Sequence, residues 1–348
     1  MQDEAKTPFT ESWFASGQRL GYDPLTRAID PASPLKVWVR VDGDPTHTVT
    51  FLPGYPDGSI GWGRVLRHLP DANATPKIFV EYVGMGDSDK PRDYPYSTVE
   101  RTDLVEAIWR HFGVSSTIAV AFDFSSLVVL EHLARGLERP IAAPKIDGAF
   151  IFNGGLFVDG HTHPWFTTPM LRRLDGVPFL SKGPFATFKP IAGVMWSKRY
   201  RTMYPDAWED EARDLYAALK RNDGLFYLYR AAGFVDEHRA QGNRLDFGRI
   251  FDAYGGQIPF VVGGSDEDPF EHRQMTLAER RLSKRGLTIV RLPGGHLTTN
   301  ERPEALARLI GDFSSSVETC GVDFVLPAPR PAYRYGNLNA ESGGSAPV

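Results

Sequence analysis

Residues 117–122 read Thr-Ile-Ala-Val-Ala-Phe, a short apolar run with no polar residue at alternate positions. A strand with one face in water alternates; a strand without alternation is covered on both faces, the condition of a parallel sheet enclosed by helices. Similar runs recur along the chain. HTVTFLPGYP (47–56), KIFVEYVGMG (77–86), DGAFIFNGG (147–155), QIPFVVGGS (257–265) and LTIVRLPGG (287–295) all read as strands running into Gly or Pro turns. Between them, 98–113 carries Leu104, Val105, Ile108, Trp109 and Phe112 at helical spacing, and SLVVLEHLAR (126–135) reads as a buried helix. Strands alternating with helices imply parallel pairing through right-handed crossovers. Residues 14–23 and 35–43 read as a leading hairpin.

Residues 156–245 break this rhythm. They are rich in aromatics, Arg and Pro, and no strand is expected there. The stretch 208–224 places Leu215, Ala218 and Leu219 on one helical face, with Gly224 suited to end the helix. The strand pattern then returns, and 303–317 closes the core as a helix, with Pro303 fitted to its first turn. The expected organisation is a core of 1–155 and 246–318, a helical insertion or lid over 156–245, and an extended, Pro- and Gly-rich tail over 319–348.

Composition removes several function classes. The chain has 348 residues, 42% hydrophobic and 24% charged, with a formal net charge of −4. That balance lacks the basic excess of a nucleic-acid binder. No apolar stretch reaches the ~18 residues of a membrane span. The polar start MQDEAKTPFTES has no secretory pattern, so a cytoplasmic location is the default expectation. The single cysteine, Cys320, permits no intrachain disulfide and no Cys-based metal site. Neither a metal nor a cofactor is expected.

After the run at 117–122 comes Ala121-Phe122-Asp123-Phe124-Ser125-Ser126, then a helix. A nucleophile presented on a strand–turn–helix needs small residues two positions before and after it, because the turn packs tightly against its neighbours. Ala121 and Ser125 meet that need, with Asp123 at the apex. The same residues also fit an ordinary helix start with Asp as N-cap.

Other segments favour the nucleophile. Leu52-Pro53-Gly54-Tyr55-Pro56 resembles the His-Gly-x-Pro turn of dehalogenases and epoxide hydrolases, with Pro53 in place of His. Gly84-Met85-Gly86-Asp87-Ser88-Asp89-Lys90-Pro91 resembles a Gly-x-Gly-x-Ser-Asp-x-Pro loop, and Gly294-Gly295-His296 precedes the closing helix. Together they resemble the epoxide hydrolase and haloalkane dehalogenase branch of the α/β-hydrolase superfamily over roughly 35–155 and 257–315. Within it, GMGDSDKP, FNGGLF (152–157) and RNDG (221–224) are most similar to the mesoderm-specific transcript protein group.

The resemblance implies an α/β-hydrolase fold, a mostly parallel central sheet flanked by helices with an inserted helical lid. It implies Asp123 as nucleophile and His296 as base, with water as co-substrate. Family spacing within Gly263-Gly264-Ser265-Asp266-Glu267-Asp268 selects Asp266 as the acid that holds the histidine, with Asp268 as the alternative; the other place used for that acid, after the sixth strand, holds Asn153. The N–H groups of Tyr55 and Phe124 would form the oxyanion hole. Phe226-Tyr227-Leu228-Tyr229-Arg230 resembles a stretch carrying a lid proton donor, which points to Tyr229, with Tyr200 and Tyr204 as further candidates.

The residue type narrows the chemistry. Aspartate is ionised at neutral pH, with an ordinary pKa of ~3.9. It attacks an sp³ carbon without a base to activate it and leaves an ester that water can cleave, whereas serine would leave an inert ether. The expected substrate is a small apolar organic molecule, most simply an epoxide opened to a diol. Haloalkane and lactone hydrolysis are alternatives, as is a non-catalytic binding protein on the same scaffold. Phe124 stands where dehalogenases usually carry Trp, and Phe122 where the branch usually has His. His161-Thr162-His163, Arg172-Arg173 and Lys198-Arg199 read as surface or lid residues without a chemical role.

Overall fold

The computed structural model describes residues 9–69, 75–139, 144–161, 184–270, 272–324 and 326. Its strands are β1 (Gln18–Asp23), β2 (Ala28–Ile29), β3 (Lys36–Asp42), β4 (His47–Leu52), β5 (Lys77–Val80), β6 (Ser116–Phe122), β7 (Lys145–Phe152), β8 (Phe260–Ser265) and β9 (Thr288–Leu292). They form one nine-stranded sheet in the order β2-β1-β3-β5-β4-β6-β7-β8-β9. From β5 to β9 every pairing is parallel; only the β1–β2, β1–β3 and β3–β5 pairings are antiparallel. The expected leading hairpin is the β1–β3 pair, with Arg19 opposite Trp38, although its first residues coil into α1 (Phe9–Ala15).

The unbroken apolar runs become the central strands. β6 packs Ala119 and Ala121 into one core layer and Ile118, Val120 and Phe122 into the other. Helices α3 (Thr98–His111) and α4 (Ser125–Glu138) cover the first face. The Ser97 side chain caps α3 by accepting from the Glu100 N–H at 3.2 Å. Helices α1, α2 (Ile60–Leu66) and Pro303–Cys320 cover the second, and Pro303 occupies the first turn as expected.

Between β7 and β8 the described residues form helices and no strand. The helix containing Leu215, Ala218 and Leu219 runs over Pro205–Lys220, so Gly224 does not end it. The chain continues as a 3-10 turn over Arg221–Phe226, and Gly224 instead lies where the Lys90 aliphatic stem passes, 2.1 Å from where a Cβ would sit. The expected tail lies outside the described residues from 327 onward, as do His163, Arg172 and Arg173. Among the described residues no helix is long and apolar enough to cross a membrane.

Candidate active site

Asp123 stands at the C-terminal end of β6, where the chain turns directly into α4. Its φ is 52°, in the left-handed region, which Asp tolerates better than a branched residue does. The Asp123 N–H donates to the Phe152 carbonyl at 2.9 Å, and its carbonyl accepts from Ser126 N–H at 3.0 Å. Ser125 has a further function beyond being small. Its hydroxyl donates to the Pro53 carbonyl and pairs with the Tyr82 hydroxyl at 2.8 Å. It thereby ties the Asp123 turn to the turn after β4.

That second turn completes the grip. The Tyr55 N–H donates to Asp123 Oδ1 at 2.8 Å. Gly54 is needed for this approach, since a Cβ there would sit 2.3 Å from the Phe122 ring. Phe122 fills the same space on its other side, 5.5 Å from the His296 ring.

His296 approaches Asp123 from the loop after β9, with Nε2 3.7 Å from Asp123 Oδ2. Its Nδ1 lies 3.2 and 3.1 Å from the two oxygens of Asp268. Asp268 is 3% exposed, and Phe270 N–H also donates to it at 2.8 Å. Burial pulls the imidazole pKa down, but the Asp268 carboxylate, with Asp123 and Asp57 behind it, outweighs that and raises it to about 9. The acid beside the histidine is therefore Asp268, not the Asp266 selected by family spacing. Asp266 directly follows β8, its side chain over half exposed and 3.9 Å from Arg291 of the neighbouring strand. The chain then turns back through Asp268 N–H to the Ser265 carbonyl, which carries the later carboxylate under the ring.

Asn153 is fully committed to holding the histidine loop. Its Nδ2 donates to the His296 carbonyl at 2.7 Å, and its Oδ1 accepts from Ser265 N–H at 2.8 Å. A carboxylate here would repel that carbonyl, so an amide at 153 and the acid at 268 belong together.

Glu301 was not singled out by sequence. Its carboxylate accepts from Gly295 N–H at 3.0 Å, Ser197 N–H at 2.6 Å and Ser197 hydroxyl at 2.8 Å. It clasps the histidine loop to the start of the inserted helix Lys198–Met203. Gly295 is obligatory there, because a Cβ would lie 2.4 Å from Ser197 N. Glu301→Ala leaves buried N–H groups unmet and is expected to cost about 3 kcal/mol of stability, measured by urea unfolding; Glu301→Gln, which keeps an acceptor, should recover about half.

Of the tyrosines expected as proton donors, Tyr200 is buried and its hydroxyl donates to Glu211 at 2.9 Å, with Tyr204 packed 5.3 Å from its ring. Tyr229 lies on the short helix Tyr227–Arg230, its side chain outside the described residues. The Tyr55 hydroxyl donates to the Leu228 carbonyl at 2.6 Å, which binds that segment to the turn after β4.

His161 was expected at a surface or in the lid without a role; it is 1% exposed, with Nδ1 2.9 Å from Nδ1 of His238. Burial lowers His161 to about 4 and His238 to about 3, so both rings are neutral at pH 7. Asp57 is likewise buried, and burial pushes its carboxyl up to about 8. Lys198 and Arg199 are exposed, as expected. Among the described residues, no group of three or more His, Cys, Asp or Glu side chains is placed to hold a metal.

The model of the alpha/beta hydrolase family matches residues 51–309. The chain belongs to that family. The bovine mesoderm-specific transcript homolog protein is 26% identical over 244 residues, 67% of each chain. The solved structure of a thermophilic esterase from Thermogutta terrifontis superposes with a TM-score of 0.63 at 15% identity, covering 87% of this chain and 99% of that one. The haloalkane dehalogenase DbeA from Bradyrhizobium elkani does so with a TM-score of 0.60 at 17% identity, covering 82% and 96%. At these identities the solved structures bear on the fold alone, and a hydrolase is the assignment that family membership carries.

Proposed function

We propose that this chain hydrolyses small organic electrophiles, epoxides in the first place, through an alkyl ester on Asp123. The observation that carries the reading is the position of the Asp123 carboxylate. Oδ1 is held by the Tyr55 N–H, while Oδ2 faces the ring whose far side rests on Asp268. A helix N-cap has no need of such a partner.

In this scheme Asp123 Oδ2 forms a bond to an epoxide carbon as the ring C–O bond breaks, and a lid hydroxyl protonates the departing oxygen. Tyr229 is the preferred donor, because its segment is held over the site by Tyr55, whereas the Tyr200 hydroxyl is engaged with Glu211. Ester formation removes the negative charge of Asp123. One support of the His296 imidazolium is then lost, its pKa falls, and more of the ring is in the neutral form that can accept a proton at the step that needs it. His296 takes a proton from water, and the hydroxide attacks the Asp123 carbonyl carbon. The oxyanion, at the former Oδ1, is met by the N–H groups of Tyr55 and Phe124. Collapse breaks the bond from the Asp123 carbonyl carbon to the alkyl oxygen, which takes the remaining hydroxyl proton of the intermediate; the diol leaves, the carboxylate is restored, and the proton held by His296 returns to the lid tyrosinate. The segment 156–245 acts as the lid on the core formed by 1–155 and 246–318. Phe124 has no N–H on its ring for a halide, which favours the epoxide over the haloalkane.

His296→Gln tests this. Incubation with a panel of epoxides and haloalkanes should trap an adduct on Asp123, seen by intact mass, while turnover falls about 10³-fold. For an epoxide the protein gains the whole substrate mass. No adduct with any member would overturn the reading, and release of halide would move it to dehalogenation.

A further inference from the structure

Arg101 lies on α3 with its guanidinium carbon 4.5 Å from the centroid of the Phe124 ring, directly beside the candidate nucleophile in sequence. The side chain is 1% exposed, yet Nε, Nη1 and Nη2 find no hydrogen-bond partner among the described residues. A guanidinium stays charged at any working pH. Removing one from water without a counter-charge is strongly unfavourable. The fold does pair its other deeply placed arginine on this face: Arg135, 5% exposed, is bound by Asp103, Glu106 and Glu131.

The neighbouring Glu100 does not play that part for Arg101. Its carboxyl oxygens are also buried without hydrogen-bond partners, so they do not engage the guanidinium, and burial pushes the group well above the usual carboxylate range. A second polar group stands nearby. The Tyr227 hydroxyl is buried beside the guanidinium and interacts with it, yet the two are not in close hydrogen-bond geometry, so both keep capacity for a further partner. The Tyr227 ring lies 6.3 Å from that of Tyr55, and Tyr82 closes the far side of Phe124 at 5.5 Å. Unmet charged and hydroxyl donors thus converge next to the aromatic residues that flank Asp123.

We propose that Arg101, with the Tyr227 hydroxyl, forms an anion subsite beside Phe124, and that the substrate of the Asp123 site carries a carboxylate bound there. This rests on the reading of Asp123 as nucleophile and refines the expected apolar substrate to an amphipathic one. Its anionic end meets the planar fork of Arg101, and its reacting carbon reaches Asp123 across the width of one aromatic ring.

Matched probes separate this subsite from the chemistry. In the His296→Gln background, 4-(oxiran-2-yl)benzoate should alkylate Asp123 about 100-fold faster at low concentration than 4-(oxiran-2-yl)benzamide. Adding Arg101→Met should shrink that preference to under about 3-fold, chiefly by slowing the benzoate. Benzoate binding by calorimetry should be seen with the otherwise unaltered chain and be lost in Arg101→Met, whose melting temperature should not fall, since no native hydrogen bond is removed. Equal rates for the two epoxides, or equal benzoate binding by both proteins, would overturn the subsite; a benzamide adduct would in that case leave the nucleophile intact. Arg101-dependent benzoate binding with no adduct from either epoxide would support the subsite and reject the nucleophile. If Arg101→Met does not fold, the benzoate–benzamide comparison needs no change at 101, and Arg101→Lys should keep benzoate binding weakened about 10-fold.

Discussion

Asp123→Asn should lower turnover on the order of 10⁵-fold while the protein folds as before. Asparagine accepts the left-handed backbone at 123, where φ is 52°, and its amide oxygen can still receive the Tyr55 N–H. What disappears is the nucleophile and one negative charge. Because Asp123 is among the groups that raise His296, the imidazole should titrate below its present value of about 9, readable by proton NMR of the histidine. Lost turnover with an unshifted histidine would mean that the carboxylate and the ring do not interact as their 3.7 Å separation indicates. Retained turnover would reject Asp123 as nucleophile.

Asp268→Asn has the second-largest expected effect, a fall of about 10³–10⁴-fold, with Asp266→Asn changing activity less than about 3-fold. Asp268 is the foremost of the groups that raise His296, so its loss should lower that pKa further than loss of Asp123 does. The sign of the stability change follows. His296 is raised in the folded state above its ordinary ~6.5. Its contribution is therefore fully present below about pH 6.5 and lost as pH rises through about 9. Urea unfolding should show Asp268→Asn losing clearly less stability over that window than the unaltered protein, the remaining loss coming from the raised Asp57 carboxyl, which titrates up to about pH 8. The same loss in both proteins would place the titrating group elsewhere.

The sheet was legible because its evidence is local. An unbroken apolar strand such as 117–122, with small residues at 121 and 125, can be read along the chain, and β6 and the Asp123 turn follow it. Asp268 was harder. Asp266 and Asp268 are both acids on one loop, and the choice depends on a turn through Ser265 that no periodicity reports. His161 and Arg101 were missed for a related reason. Each is an ordinary polar residue by sequence, and its burial comes from packing against segments far along the chain, His238 for one and Phe124 for the other. Gly224 shows the converse error, since a glycine that looked like a helix terminator is instead a clearance for Lys90.

The Glu301 clasp also limits how such an enzyme can diversify. Lids are commonly regarded as exchangeable parts that set substrate range while the core keeps its chemistry. Here Ser197, at the head of an inserted helix, and Gly295, beside the histidine, share one carboxylate. A transplanted lid without a serine in register would strand that carboxylate and loosen the very loop that aligns His296. A change at Ser197 would therefore need a matching change at Glu301 to leave no buried group unmet.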